Sequence, residues 1–112
     1  MQCLIVVLNK VELLESLLQK LADAGISGAT ILNSTGMMRE LARNSEDLPI
    51  FGSLRFHLDP DRNESKTLFM ALDDSKIESA KAVIREVVGD ISKPDTAVMF
   101  TMPILSAEGV EF

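Results

Sequence analysis

The chain has 112 residues, 46% of them hydrophobic, with 17 acidic against 11 basic residues and a formal charge of −6. This length suits one domain over residues 1–112, and this apolar content excludes a wholly disordered chain. The negative field disfavours nucleic acid as a partner, no apolar run reaches the ~20 residues of a membrane span, and the first residues lack the basic region and cleavage site of a signal peptide.

No membrane insertion is therefore expected, and the expected location is cytoplasmic. The five aromatic residues are all Phe, so the core must be aliphatic. Cys3 is the single cysteine, which excludes an intrachain disulfide; in its apolar run it reads as a plain buried thiol.

Cys3–Leu8 is a continuous apolar, β-rich run and reads as the first strand. Asn9 with Glu12 three residues on resembles a capping box. Leu14, Leu17, Leu18 and Leu21 then fall on one face of a helix that Gly25 ends. Ala29–Ser34 reads as the second strand, closed by Gly36, and Thr67–Leu72 as the third. Ser75-Lys76-Ile77-Glu78 has the form of a capping box. Ile77, Ala80, Ile84, Val87 and Val88 line one face of the helix it opens, and Gly89 stops it. Thr96–Met102 is the fourth strand, ended by Pro103. The order β-α-β-β-α-β predicts an α+β, ferredoxin-like sandwich.

Strands two and three are joined by roughly 30 residues, Thr35–Lys66, where a hairpin needs about two to five. Within this connection Met37, Met38 and Leu41 suit one side of a short helix. Leu54, Phe56 and Leu58 alternate like a strand, and Asp59–Glu64 reads as a polar turn. Two readings stay open: a segment packed on its own body, or an arm that grips a partner or ligand.

Both helices of such a fold cover one sheet face, yet strands one, three and four are apolar at nearly every position rather than alternating. A second apolar face predicts a homo-oligomer with sheets turned inward. The alternative is that the connection or the tail Ile104–Phe112 folds back over it.

Catalytic constellations are scarce, and no enzyme is expected. Cys3 and His57 have no evident orienting third group. Asp59-x-Asp61-x-Asn63 imitates the start of an EF-hand loop, but Glu64 stands where Gly is needed and Met70 where Glu is needed. Asp73-Asp74 suits the positive end of the second helix. The turn Val88–Thr96 holds Gly89, Asp90 and Lys93, which can meet phosphate through backbone N–H groups and an ammonium, or merely connect two elements.

Gly25-Ile26-Ser27-Gly28-Ala29-Thr30, a strand, and then Gly36-Met37-Met38-Arg39-Glu40 opening a long connection resemble the PII family of nitrogen-regulatory signalling proteins. The family pattern is Gly-Ile-x-Gly-x-Thr, a strand, and Gly-x-Gly-Arg-Gln at the base of its mobile T-loop. Element order and length agree over nearly the whole chain. The resemblance implies a homo-trimer with a small effector, an adenine nucleotide such as ATP, ADP or AMP, in clefts between subunits. It implies a target, a transporter or metabolic enzyme, contacted through the long loop. The effector residues it implies here are Thr30, Gly36, Met38, Arg39, Glu40, Gly89, Asp90 and Lys93.

The chain departs from the pattern at particular residues. Met38 replaces the second Gly and Glu40 the Gln; nothing after Lys93 is basic; no Tyr is present. A divergent PII-like regulator is therefore expected, rather than a sensor of the ATP and 2-oxoglutarate pair. The alternatives are a ligand-free structural or interaction domain, and an ACT-like amino-acid-binding domain, which shares the element order but expects a short β2–β3 hairpin.

Overall fold

The structure, a computed structural model, describes residues 1–44 and 64–110. Four strands, β1 (Gln2–Leu8), β2 (Thr30–Ser34), β3 (Ser65–Leu72) and β4 (Ala97–Pro103), form one antiparallel sheet in the order β2-β3-β1-β4. Three helices accompany them: α1 (Leu14–Asp23), α2 (Met37–Asn44) and α3 (Ile77–Val88). This α+β arrangement is compatible with a ferredoxin-like fold. The anticipated strand at Leu54–Leu58, His57 and most of the polar turn after it lie outside the described residues.

The period-two geometry of strands splits β1 cleanly. Leu4, Val6 and Leu8 are fully buried and meet Leu68 and Met70 of β3 together with Leu17 and Leu21 of α1 and Ile77, Ala80, Ile84 and Val88 of α3. Helix periodicity in the sequence therefore maps directly onto this core, with Leu14, Leu18 and Val87 packed at its margin.

Gly25 ends α1 in the left-handed region, at φ +84°. Its N–H donates to the Ala22 carbonyl at 3.0 Å, and the Ile26 N–H to the Leu21 carbonyl at 2.9 Å. This pair of bonds, with Ile26 and Leu21 both buried, is a Schellman motif.

Both expected capping boxes differ from what forms. The Asn9 and Lys10 N–H groups donate to the Thr96 carbonyl at 3.0 and 3.2 Å, extending the β1–β4 ladder. The chain is still held by the sheet there, so α1 begins only after a 3-10 turn at Val11–Leu13, without a side-chain cap. Before α3, the acceptor is Asp73 rather than Ser75: its carboxylate takes the Ser75 N–H at 3.0 Å and the Ser75 hydroxyl at 2.6 Å. An ionised carboxylate is the stronger acceptor, and it sits two residues earlier, at the head of the 3-10 turn Asp74–Lys76. Asp74 turns away from the helix, accepting from the Met1 amino group at 2.7 Å and from Gln2 at 3.2 Å.

The short helix anticipated in the connection is α2. Met38 and Leu41 are half-buried on it, whereas Met37, in its first turn, is exposed.

Candidate functional site

The sheet face opposite α1 and α3 is built from the alternate residues of every strand. Cys3, Ile5 and Val7 of β1 stand opposite Ala71, Phe69 and Thr67 of β3, and opposite Met102, Phe100 and Val98 of β4. Thr30, Leu32 and Ser34 of β2 complete the layer. No residue on this face carries a charge, although the whole chain has 28 charged side chains among its 17 acids and 11 bases. Leu32, Val98, Phe100 and Met102 stand 49%, 52%, 47% and 46% exposed. Cys3 is only partly covered.

Among the described residues the tail covers this layer only in part. The Ile104 N–H donates to the Met1 carbonyl at 3.2 Å and Leu105 is almost wholly exposed, while Gly109 and Val110 lie beside Thr30, Phe69 and Ala71 of the face. There they border an open groove of about 580 Å³ with Gly25–Thr30, Phe69, Ala71, Leu72, Asp73 and Lys76. Thr30 belongs to this groove and lies at the opposite end of β2 from Gly36.

The other end of the sheet gathers most of the remaining candidates. β1 and β2 end there, and β3 and β4 begin there. Arg39 of α2 forms an ion pair with Asp95, in the turn just before β4; their side chains are 8% and 6% exposed. Arg39 is thus not a surface residue: it ties the base of the long connection to the turn before β4 within one chain. Lys93 is exposed two residues before Asp95. Lys10 extends its Nζ to 3.5 Å from the Val88 carbonyl, where the negative end of the α3 dipole favours a cation.

Gly89 ends α3 at φ +80° and ψ −141°, a conformation side chains rarely adopt, and its N–H donates to the Arg85 carbonyl at 3.0 Å. The Asp90 carboxylate accepts the Ser92 N–H at 3.0 Å and the Ser92 hydroxyl at 2.6 Å, and these bonds hold its pKa below the usual carboxylate range. Asp90 therefore braces the turn from within. Gly36 accepts the Glu40 N–H at 3.0 Å in the first turn of α2, and a Cβ at Gly36 would meet open space. Met38 is half-buried and Glu40 exposed.

The structure thus brings Arg39 beside the Gly89–Asp95 turn and leaves Thr30 apart. Two residues escaped sequence reasoning, Asp95 and Lys10. Asp95 had a trace, since a non-glycine residue at φ +58° favours Asp or Asn. Lys10 read only as part of a helix start.

A hydroxyl cluster closes this end of the open face. The Ser34 hydroxyl lies 2.9 Å from that of Ser65 and 2.7 Å from that of Thr67. Among the described residues no group of His, Cys, Asp or Glu is placed to hold a metal ion, and no helix is long and apolar enough to cross a membrane. No protein-family model matches the chain, and no curated protein matches its sequence.

Proposed function

We propose that this chain is a PII-like regulatory protein that assembles through its uncharged sheet face, as a homo-trimer on the family pattern. It would bind a small anionic effector, an adenine nucleotide being the first candidate, and act on a target protein through the connection that starts at α2. The observation that carries this reading is the face itself. With strands about 4.8 Å apart and about 3.3 Å per residue, it measures on the order of 400 Å². At about 25 cal/mol per Å² of apolar surface, hiding the exposed apolar part of it contributes several kcal/mol per copy before ordering costs. Residues that a solvated face would make polar are here Leu32, Val98, Phe100 and Met102.

The effector site in this reading lies at the end of the sheet that holds the Arg39–Asp95 pair, Lys93 and Lys10, at the base of the connection. A second copy seated on the sheet would wall this end into a cleft. Conformational output requires only that the effector favour one arrangement of α2 over another.

The Arg39–Asp95 pair favours a second reading, a ligand-free structural domain, because it satisfies Arg39 without any ligand. Light scattering combined with thermal-shift screening of ATP, ADP, AMP, cyclic nucleotides and 2-oxoglutarate separates the two. A trimer with saturable stabilisation by one of these supports the regulator. A trimer unmoved by the whole panel supports the structural domain, and a monomer at micromolar concentration removes both.

A further inference from the structure

We infer that the outer edge of β4 pairs with the same edge of a second copy of this chain, the two strands running antiparallel about a twofold axis beside Phe100. This goes beyond the covered face: it uses backbone groups at the rim of the sheet, which stay available whether or not the face is also covered.

Among the described residues β4 pairs with β1 alone, so its other side is an edge. At one end of the ladder the Asn9 N–H donates to the Thr96 carbonyl. At the other the Ile104 N–H donates to the Met1 carbonyl, and the register between them is unbroken. Successive strand residues turn their backbone groups to opposite sides, so Val98, Phe100 and Met102 also address β1. Ala97, Met99, Thr101 and Pro103 address the edge. Ala97 is 4% exposed and Pro103 has no N–H, which leaves Met99 and Thr101 as the outward donors. No described residue accepts from either.

Open edges invite pairing, and proteins commonly guard them with charges or bulges. β4 has neither: Ala97–Pro103 holds no charged residue, and its ladder runs without a bulge. The opposite edge, β2, has five residues against seven and is guarded. Lys66 of the adjacent β3 donates to the Asn33 side chain and pairs with Glu64. A chain of charge −6 repels its own copies, so an uncharged strip is where two of them approach most readily.

One register satisfies both outward donors. With Phe100 opposite Phe100 across the axis, Met99 of each copy faces Thr101 of the other, and each such pair exchanges both of its N–H···O bonds. Pro103, which lacks a donor, falls opposite Ala97, which is covered already. On the open face Val98 meets Met102. The side chains that stand half exposed in one copy, Val98, Phe100 and Met102, therefore meet one another in two.

The test combines disulfide trapping with amide exchange in the full chain. In a Cys3→Ala background, which removes the native thiol, Phe100→Cys is expected to give a disulfide-linked dimer under mild oxidation. Directly opposed residues of this kind have Cα atoms about 4.5 Å apart, within disulfide reach. Val98→Cys, opposite Met102, should link at least tenfold more slowly. In the unsubstituted chain the Met99 and Thr101 amides should exchange at least tenfold more slowly at high protein concentration than at low. Thr101→Pro removes one donor at an outward position, where an edge strand tolerates proline. It should keep the circular dichroism spectrum and lose the concentration-dependent protection at Met99. Equal linkage by both cysteine variants, or protected amides without Phe100→Cys linkage, would put a different register or strand on this edge and overturn the inference. Phe100→Cys linkage with freely exchanging Met99 and Thr101 amides would mean contact across sheet faces; it overturns the edge pairing and leaves the face assembly standing. Freely exchanging amides with no linkage overturn the pairing outright.

Discussion

Phe100 stands directly across the ladder from Ile5 on the open sheet face, yet the two differ sharply in exposure, 47% against 6%. Ile5 is flanked on its other side by Phe69, so a central strand hides its own side chain while the edge strand β4 leaves Phe100 to the surroundings. What is exposed on this face is thus concentrated on the edge strands, where a second copy would bury it.

Phe100→Asp should therefore act on assembly and not on folding. Wild type is expected to scatter as a multiple of 12.3 kDa, and the variant as a 12.3 kDa monomer with an unchanged circular dichroism spectrum. Burying a carboxylate in an apolar interface costs several kcal/mol, enough to dissociate it at micromolar concentration. An oligomer indifferent to this substitution would place the interface elsewhere.

The Arg39–Asp95 pair gives a distinct stability signature. Removing one partner of a buried ion pair is destabilising, so Arg39→Met alone should cost up to about 3–5 kcal/mol in urea denaturation. Arg39→Met with Asp95→Asn, which removes both charges, should recover most of that loss. Additive costs in the double variant would show that the two side chains are not energetically coupled.

Glycine substitutions should separate two positions that the sequence presents alike. Gly89→Ala forces a side chain to adopt φ +80° and should cost about 1–3 kcal/mol. Gly36 has no positive φ and open space at its Cβ, so Gly36→Ala should leave stability unchanged within about 1 kcal/mol. Loss of effector binding in a stably folded Gly36→Ala protein would then report close approach of the ligand to this backbone.

Acid sensitivity follows from three surface carboxyls. Hydrogen bonds from Ser75 hold the Asp73 pKa below the usual range. The Met1 amino group does the same for Asp74, and Ser92 for Asp90. Each therefore binds its proton less readily folded than unfolded. The stability they contribute is present above the unfolded value of about 3.9 and is lost as pH falls through the lower folded values. Thermal melts should be flat from neutral pH down to about 5 and decline below about 4. Ser75→Ala should raise the Asp73 midpoint, read by NMR titration; an unmoved midpoint would deny the hydroxyl its part.

Much of the candidate site could be read as residue types and little of it as geometry. Arg39, Gly89 and Lys93 announced a charged, turn-rich end. That Arg39 is already held by Asp95, that Asp90 braces its own turn, and that Thr30 sits in a groove at the far end of β2 could not be read, because each depends on where the chain comes back to. The two capping boxes failed for the same reason: Asn9 was claimed by Thr96 across the sheet, and Asp73 outcompeted Ser75 as the acceptor.

The sequence by itself determined what is periodic and local: the helical faces of Leu14–Leu21 and Ile77–Val88, the strands, the stop at Gly25, and an apolar layer too extensive to be one-sided. These follow from side-chain spacing, which backbone geometry converts directly into faces. Only the tertiary structure decided which charges meet, as with Arg39 and Asp95, and which residues of the apolar layer stay uncovered, as with Phe100 and not Ile5. Such pairings depend on strand order and chain return, and no local pattern encodes the distance between residues brought together from opposite halves of the chain.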